Sequence, residues 1–149
     1  MPIDTGARRG FWHEQGDLSR ALRALADDYW RRLHGEALPT RVRVRWVPRL
    51  GSSNQNRHSR FYLFADADPG AAYDGGDIRL SWAALKRAYG PLQGRTLPTG
   101  VKVIVVHELV HAFGIHHDGP REKLAFVRQV NVWLRRLKIH AKIRVADIV

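Results

Sequence analysis

The segment Val103–Pro120, VIVVHELVHAFGIHHDGP, holds four histidines, a glutamate and an aspartate between positions 107 and 118. Within it, HELVH places His107 and His111 four residues apart and Glu108 directly after the first histidine. Residues four apart lie on one face of an α-helix, one turn above each other, so both imidazoles can reach a single ion. The histidine spacing therefore predicts a helix over Val101–Phe113, although the β-branched, apolar composition alone would also suit a buried strand.

The HExxH pattern is typical of a catalytic zinc site. Neutral imidazoles bind Zn²⁺ at about 2.0–2.1 Å, and the ion lowers the pKa of water toward about 7 while polarising a substrate carbonyl. Glu108 stands where its carboxylate can act as general base without ligating the metal. The alternative is a helix whose histidines are packed and hydrogen-bonded, with Glu108 in solvent. That alternative is disfavoured because polar groups on a buried segment need partners.

A catalytic zinc site usually has three protein ligands and a water. Gly114 permits a sharp turn after the helix, and the extended pattern HExxHxxGxxHD then supplies His117 as the third histidine. Glu122, the last glutamate of the chain, is the competing candidate because some zincins take their third ligand from a later glutamate. We predict one Zn²⁺ per chain, held by His107, His111 and His117.

Two further side chains flank the third histidine. His116 is one residue out of register and is expected to point elsewhere, either as a group behind the ligands, toward substrate or into solvent. Asp118 could accept a hydrogen bond from a ligand histidine or cap the last helix. Both are predicted as candidate supporting residues of the site.

These residues resemble known families. HELVHAFGIHHD resembles the metzincin signature, but that clan also has a methionine turn downstream, and the only methionine here is Met1. Over roughly Asp17 to Leu137 the chain is more similar to the SprT-like zinc peptidases and the related WLM peptidases. Their first helix, LP turn and first strand resemble the segment YWRRLHGEALPTRVRVRWVPRLGSS. The strand before their next helix resembles GGDIRLSW, and their active site resembles HELVH followed by HHDGP.

The SprT-like resemblance implies a minimal zincin-like fold and a metallopeptidase that acts on proteins on or near DNA. It carries zinc ligation onto His107, His111 and His117 and the role of general base onto Glu108. The chain departs from the family where an aromatic residue often follows the Gly-Pro step, because Arg121-Glu122 stand there. No Cys-rich zinc ribbon follows either.

The remaining pattern predicts an α+β domain. Apolar residues at helical spacing predict a helix over Asp17–His34. A sheet of three to four strands is predicted from the segments TRVRVRWV, FYLFA (residues 61–65) and DIRLS (residues 77–81). Residues 66–76 are predicted as a loop. A brief helix, SWAALKRAYG, follows. Pro120 opens the C-terminal helix, which has an apolar stripe made of Leu124, Val127, Val130, Leu134 and Leu137. IHAKIRVADIV either adds a strand or trails off. Residues 1–10 are predicted as a flexible tail and residues 11–149 as one domain.

The charge suggests a polyanionic partner. Lysine and arginine total 25 against 14 acidic residues, a formal net charge of +11, which suits nucleic acid. Arg41, Arg43 and Arg45 alternate with apolar residues on a predicted strand and form the first candidate surface. The alternative is that the arginines only solvate the surface. The chain has no cysteine, no apolar run of the roughly 20 residues that cross a bilayer and no recognisable secretion signal, so a cytoplasmic protein is expected.

Two functions from different classes follow. The first is a zinc metalloendopeptidase that cleaves protein or peptide substrates, with nucleic-acid-associated proteins as the expected class. The second is a zincin-fold binding or structural module, for instance a phage or virion component, in which the zinc has no catalytic role. Glu108 favours the enzyme, because a purely structural site has no need of a general base.

Overall fold

The computed structural model describes residues 5–50, 71–90, 92 and 97–147, with only the backbone described for residues 5–17. The elements in chain order are α1 (Thr5–His34), β1 (Arg43–Val47), β2 (Ala71–Asp74), β3 (Asp77–Ser81), α2 (Trp82–Tyr89), α3 (Thr99–Phe113), α4 (Pro120–Arg136) and a 3₁₀ turn at Val145–Asp147. The predicted α+β class is confirmed. The strand predicted at residues 61–65 lies outside the described residues.

The three described strands form one sheet in the order β1-β3-β2. β1 runs parallel to β3, with Val44 opposite Ile78, whereas β2 runs antiparallel to β3. Val42, Val44 and Trp46 are buried and the arginines between them are exposed. The alternation of arginines with apolar residues therefore predicted this half-buried strand correctly, because successive side chains of a strand point to opposite faces of the sheet.

Strand β2 corrects the prediction of a loop over residues 66–76. It is joined to β3 by Gly75-Gly76, whose φ angles are 57° and 100°, and two positive φ values are what a tight type I′ hairpin turn requires. At Gly76 a Cβ would lie 2.6 Å from the Arg41 carbonyl oxygen, so glycine is also needed for space. The signal for this hairpin was the Gly-Gly pair between two short apolar segments.

Helix α1 begins at Thr5, so residues 5–10 are helical and the prediction of a tail there is wrong for that range. Glycines, which stand at positions 6, 10 and 16, are unfavourable in the interior of a helix. No proline interrupts the segment, however, and adding residues to an existing helix costs far less than starting a new one.

Helix α3 is the centre of the domain. Eleven of its fifteen residues are buried, and a helix that is apolar on every side belongs in a core. α1, α2, α4 and β2 all pack against it. Gly114 ends it in the left-handed conformation at φ 108°, with its N–H donating to the His111 carbonyl at 2.9 Å. The histidine spacing thus predicted the helix correctly where residue propensity alone was ambiguous.

Four of the five residues predicted for the apolar stripe of the C-terminal helix are buried, and Leu124 is the exception. Leu124 is 44% exposed, whereas Phe126 and Trp133 are buried together with Val127, Val130, Leu134 and Leu137. The buried residues follow the 3.6-residue period, but they begin two positions later than we predicted. Pro120 occupies the first turn, as expected.

The segment after α4 is held by one side chain and forms no strand within the described residues. The Asn131 amide donates to the Ile143 carbonyl at 2.9 Å and accepts from the Ile143 N–H at 2.8 Å. Asn131 therefore occupies the place that a neighbouring strand would take, and Ile143 is buried as a result.

His34 ends α1 against an aromatic cluster. Its ring stacks on Phe113 with centroids 5.1 Å apart and lies 4.3 Å from Trp30. Burial, and then the charge of Arg136, lower the pKa of His34, against the opposing effect of Glu36. The folded protein therefore takes up a proton here less readily than the unfolded chain.

We expect His34 to make folding stability depend on pH. As the pH falls below the unfolded value of about 6.5, the unfolded chain binds more protons at this position, so the free energy of unfolding falls. His34→Phe keeps the ring stack and removes the proton site, so the variant should lose less stability than the parent between pH 7.5 and pH 5. Urea titrations at each pH measure this, with exposed His140→Phe as the control. Parallel pH profiles for parent and His34→Phe would contradict it.

Candidate metal centre

Three imidazoles meet at the end of α3. His107 and His111 come from the last two turns of the helix and His117 from the loop beyond Gly114, and their candidate ligand atoms all lie within 4.8 Å of one another. The three residues are 0%, 2% and 5% exposed. A buried cluster of this kind can hold a metal ion, and it joins the three histidines that the sequence pattern predicted.

A backbone carbonyl orients His111. Its Nδ1 lies 3.1 Å from the Ile115 carbonyl oxygen, and because a carbonyl only accepts, Nδ1 carries the hydrogen in the neutral ring. The lone pair is then on Nε2, which lies 3.2 Å from Nε2 of His117. Metal-ligating histidines are commonly held in this way, with the second ring nitrogen bonded to a carbonyl. Ile115 is therefore a supporting residue that the sequence motif did not reveal.

Burial favours the neutral form of two of these rings, those of His107 and His117. It lowers the pKa of His107 well below its usual range, and the neighbouring charges of His111 and then His117 act in the same direction. It also lowers the pKa of His117. Neutral imidazoles are the form that binds metals, so the protein holds the cluster ready for an ion near neutral pH.

Two aromatic rings enclose the cluster. Phe126 of α4 is fully buried and lies 4.6, 4.7 and 4.7 Å, centroid to centroid, from His107, His111 and His117. The ring of Tyr73, on β2, stacks on that of His111, with the ring centroids 5.7 Å apart and an angle of 18° between the ring planes. Sequence reasoning missed both, because nothing in the motif points to α4 or to the edge strand. The periodicity of α4 could have identified Phe126.

Glu108 is the unusual member of the site. Its side chain is 0% exposed, and neither carboxylate oxygen has a hydrogen-bond partner among the residues that the structure describes. Burial raises the pKa of Glu108 well above its usual range. A carboxyl group in this position binds a proton more readily than one in solvent, which suits a group that must accept a proton during a reaction.

A buried carboxyl group without a partner is expected to lower stability. Leaving such a group unsatisfied costs about 1–3 kcal/mol, so Glu108→Met, which has a similar volume and no charge, should raise the free energy of unfolding by about that amount. Urea unfolding of the metal-free proteins measures it, with exposed Glu122→Met as the matched control. A loss of stability in Glu108→Met would show that the carboxylate has a structural partner.

The other candidate residues near the site, His116, Asp118 and Glu122, lie outside the histidine cluster. His116 is exposed and its Nδ1 lies 3.1 Å from Nδ1 of His111, so it adjoins a ligand candidate without joining the cluster. Asp118 is exposed and contributes to His117 by raising its pKa, an effect smaller than that of burial. The N-cap of α4 is Gly119, so Asp118 does not cap that helix. Glu122 is exposed and is not part of the described cluster.

The arginine row on β1 is partly engaged within the protein. Arg45 contacts Asp77 through two hydrogen bonds of 3.3 and 3.1 Å, and Arg41 donates to the Ala112 carbonyl at 3.3 Å. Arg43 is exposed on the same face. The predicted alternation is therefore present, but the three guanidinium groups are not equally available to a partner.

Comparison with known proteins gives no match to a protein-family model, to a curated protein or to a solved structure. Among the described residues, no helix is both long and apolar enough to cross a membrane.

Proposed function

We propose that this protein is a zinc-dependent metalloendopeptidase. The observation that carries the proposal is Glu108, a fully buried carboxylate one residue from His107 in a cluster of three histidines. Three histidines suffice for a structural ion. A carboxylate kept beside them at a cost in stability is expected where it takes part in a reaction, since functional sites tolerate such costs.

The donor set fits zinc. Three imidazole nitrogens are the protein ligands of catalytic zinc sites of the three-histidine type, in which a water fills the fourth position. Zn–N bonds of about 2.0–2.1 Å at tetrahedral angles separate two nitrogens by roughly 3.3 Å, and the Nε2 atoms of His111 and His117 are 3.2 Å apart. Softer or harder ions are less suited, because the cluster offers neither sulfur nor oxygen ligands.

Each residue then has a role. His107, His111 and His117 would hold the ion, which when bound supplies Lewis-acid activation of water and of the substrate carbonyl. A Glu108 carboxylate oxygen accepts a proton from the attacking water and passes it to the leaving amine. The Ile115 carbonyl fixes the His111 ring, and Phe126 excludes water from the inner side of the site.

One observation favours the second function, a structural or binding module. Structural zinc sites are closed, whereas catalytic sites keep an open position, and every residue of this cluster is at most 5% exposed. An active enzyme must therefore open the site to admit a peptide. A module would have no such need.

The decisive experiment is a cleavage assay on the zinc-loaded protein. We expect casein to be cleaved, the activity to vanish with 1,10-phenanthroline, and zinc to restore it. Zinc content measured in the same samples should be one ion per chain, lost in His117→Ala and retained in His116→Ala. A protein that carries stoichiometric zinc and cleaves neither casein nor DNA-bound protein would instead be the structural module. Retention of zinc by His117→Ala would contradict the assignment of the third ligand.

We also propose that nucleic-acid-associated proteins are the substrate class, on the basis of the +11 charge and the resemblance to SprT-like peptidases. Arg43→Gln should then reduce the salt dependence of DNA binding by about one phosphate contact, because among the described residues no carbonyl or carboxylate group engages Arg43, whereas Arg41 and Arg45 are engaged. Arg45→Gln should have a smaller effect, since Asp77 already engages that side chain. Fluorescence titrations at several salt concentrations measure both. Equal salt slopes in parent and Arg43→Gln would remove this surface from the proposal.

A further inference from the structure

A second concave site lies at the other end of α3. It is a cleft of about 370 Å³ between α1, the first turn of α3 and the residues that follow α4. Three cationic side chains from these three segments converge on it: Arg32, Lys102 and Lys138. One carboxylate, Asp28, also lines it and contacts Arg32 at 3.5 Å. The cations outnumber the carboxylate, so the cleft favours an anion.

The start of α3 adds to this preference. The helix has 15 residues and begins at Thr99 after Pro98, with no side-chain cap at its N-terminus among the described residues. The first N–H groups of a helix lack partners within it, and the helix dipole makes this end electropositive. Thr99 itself lines the cleft with its hydroxyl group close to this end.

An independent observation points to a ligand. Tyr29 lines the cleft and is only 4% exposed, yet its hydroxyl makes no hydrogen bond to another described residue. Burial raises the pKa of Tyr29 to about 12, and the charges of Arg32 and Asp28, which also line the cleft, act on the same hydroxyl. An acceptor oxygen bound in the cleft would give this hydroxyl, the polar end of an otherwise buried side chain, the partner that it lacks among the described residues.

Lys138 supports the same conclusion from the backbone. Among the described residues it is the non-glycine residue with positive φ, at 59°. It follows Leu137, the C-cap residue of α4, at a position where glycine is usual, and a lysine there costs roughly 1 kcal/mol or more. The side chain of this strained residue lines the cleft.

We propose that this cleft binds the phosphate group of a small phosphorylated organic molecule. Lysine, arginine, a helix N-terminus and two hydroxyl groups are the donors that phosphate oxygens require. The apolar walls formed by Leu25, Leu137 and Ile139 suit the organic part, and the volume lies in the range of small-molecule sites. This site shares no residue with the metal centre and does not depend on the proposed peptidase activity.

Phenyl phosphate and inorganic phosphate are suitable probes for calorimetry at constant ionic strength. We expect saturable binding of phenyl phosphate, weaker binding of inorganic phosphate, which cannot contact the apolar walls, and none of neutral benzyl alcohol. Lys102→Gln should weaken phenyl phosphate binding roughly ten- to hundredfold, because a charge-assisted contact is lost, and Tyr29→Phe roughly two- to tenfold. Lys86→Gln, the same change outside the cleft, should leave the affinity unchanged.

Lys138→Gly separates binding from folding. Glycine removes the backbone strain, so this variant should melt at a higher temperature than the parent while binding phenyl phosphate more weakly. The proposal is overturned if the parent shows no saturable binding of phenyl phosphate, or if Lys102→Gln and Lys138→Gly bind as tightly as the parent. It is also overturned if a short oligonucleotide without terminal phosphate is the only probe that binds, because the surface would then serve nucleic acid.

Discussion

Replacing Glu108 by glutamine is expected to lower the rate of the proposed peptidase reaction by about 10²–10⁴-fold while zinc stays bound. The amide has nearly the shape of the carboxylate but cannot accept the proton of the attacking water. The three imidazoles, their separation and the carbonyl that orients His111 are unchanged by the substitution. Initial rates of casein cleavage measure the loss of activity, and the zinc content of the same sample shows whether the metal stays bound.

Glu122→Gln is the matched control for this variant. It makes the same chemical change at an exposed position near the site, outside the histidine cluster, so its rate and zinc content should equal those of the parent. Equal activity in parent and Glu108→Gln would assign the general base elsewhere. Loss of zinc in Glu108→Gln would make Glu108 a determinant of metal binding instead.

Removing the metal is expected to have the largest effect on stability. An ion that binds the folded chain alone stabilises it by about 4 kcal/mol when its free concentration is a thousand times the dissociation constant. For a chain of this length that corresponds to roughly 8–16 °C in melting temperature. The structural reason is that the three histidines are at most 5% exposed and converge on one point only in the folded state.

Thermal unfolding followed by circular dichroism, with zinc, with chelator and after zinc is restored, measures this effect. His140→Ala, which alters an exposed histidine outside the cluster, should show the same shift as the parent. His117→Ala should show little shift, because two imidazoles hold zinc weakly. Identical melting of metal-loaded and metal-free parent would mean that the cluster is not a metal site.

Residues that obey a strict spacing were predictable. His107, His111 and His117 were assigned from the offset of four and then six residues, and the structure brings them together. The arginine and valine alternation likewise predicted β1 and its buried face. In both cases the spacing of the residues in the sequence follows directly from the periodicity of a helix or a strand.

Residues that reach the site from distant elements were not predictable. Phe126 and Tyr73 contact the histidines only because α4 and β2 pack against α3, and that packing is a property of the whole fold. The partner of Arg45 was hidden for the same reason, since Asp77 belongs to the parallel neighbour strand. The start of α1 at Thr5 was missed because the helix was predicted from its apolar spacing, which begins only near Asp17.

The sheet has a consequence for the order of folding. The β2–β3 hairpin closes through two glycines, so its strands are neighbours in the chain and can pair within about 1–10 μs. β1 joins β3 as a parallel strand, and Arg43 must find Asp77 across a long intervening segment. Closing such a loop costs entropy before any contact offsets it. We therefore expect the hairpin to form before β1 docks, which leaves the side of β3 that receives β1 as an open edge, exposed to pairing with other chains.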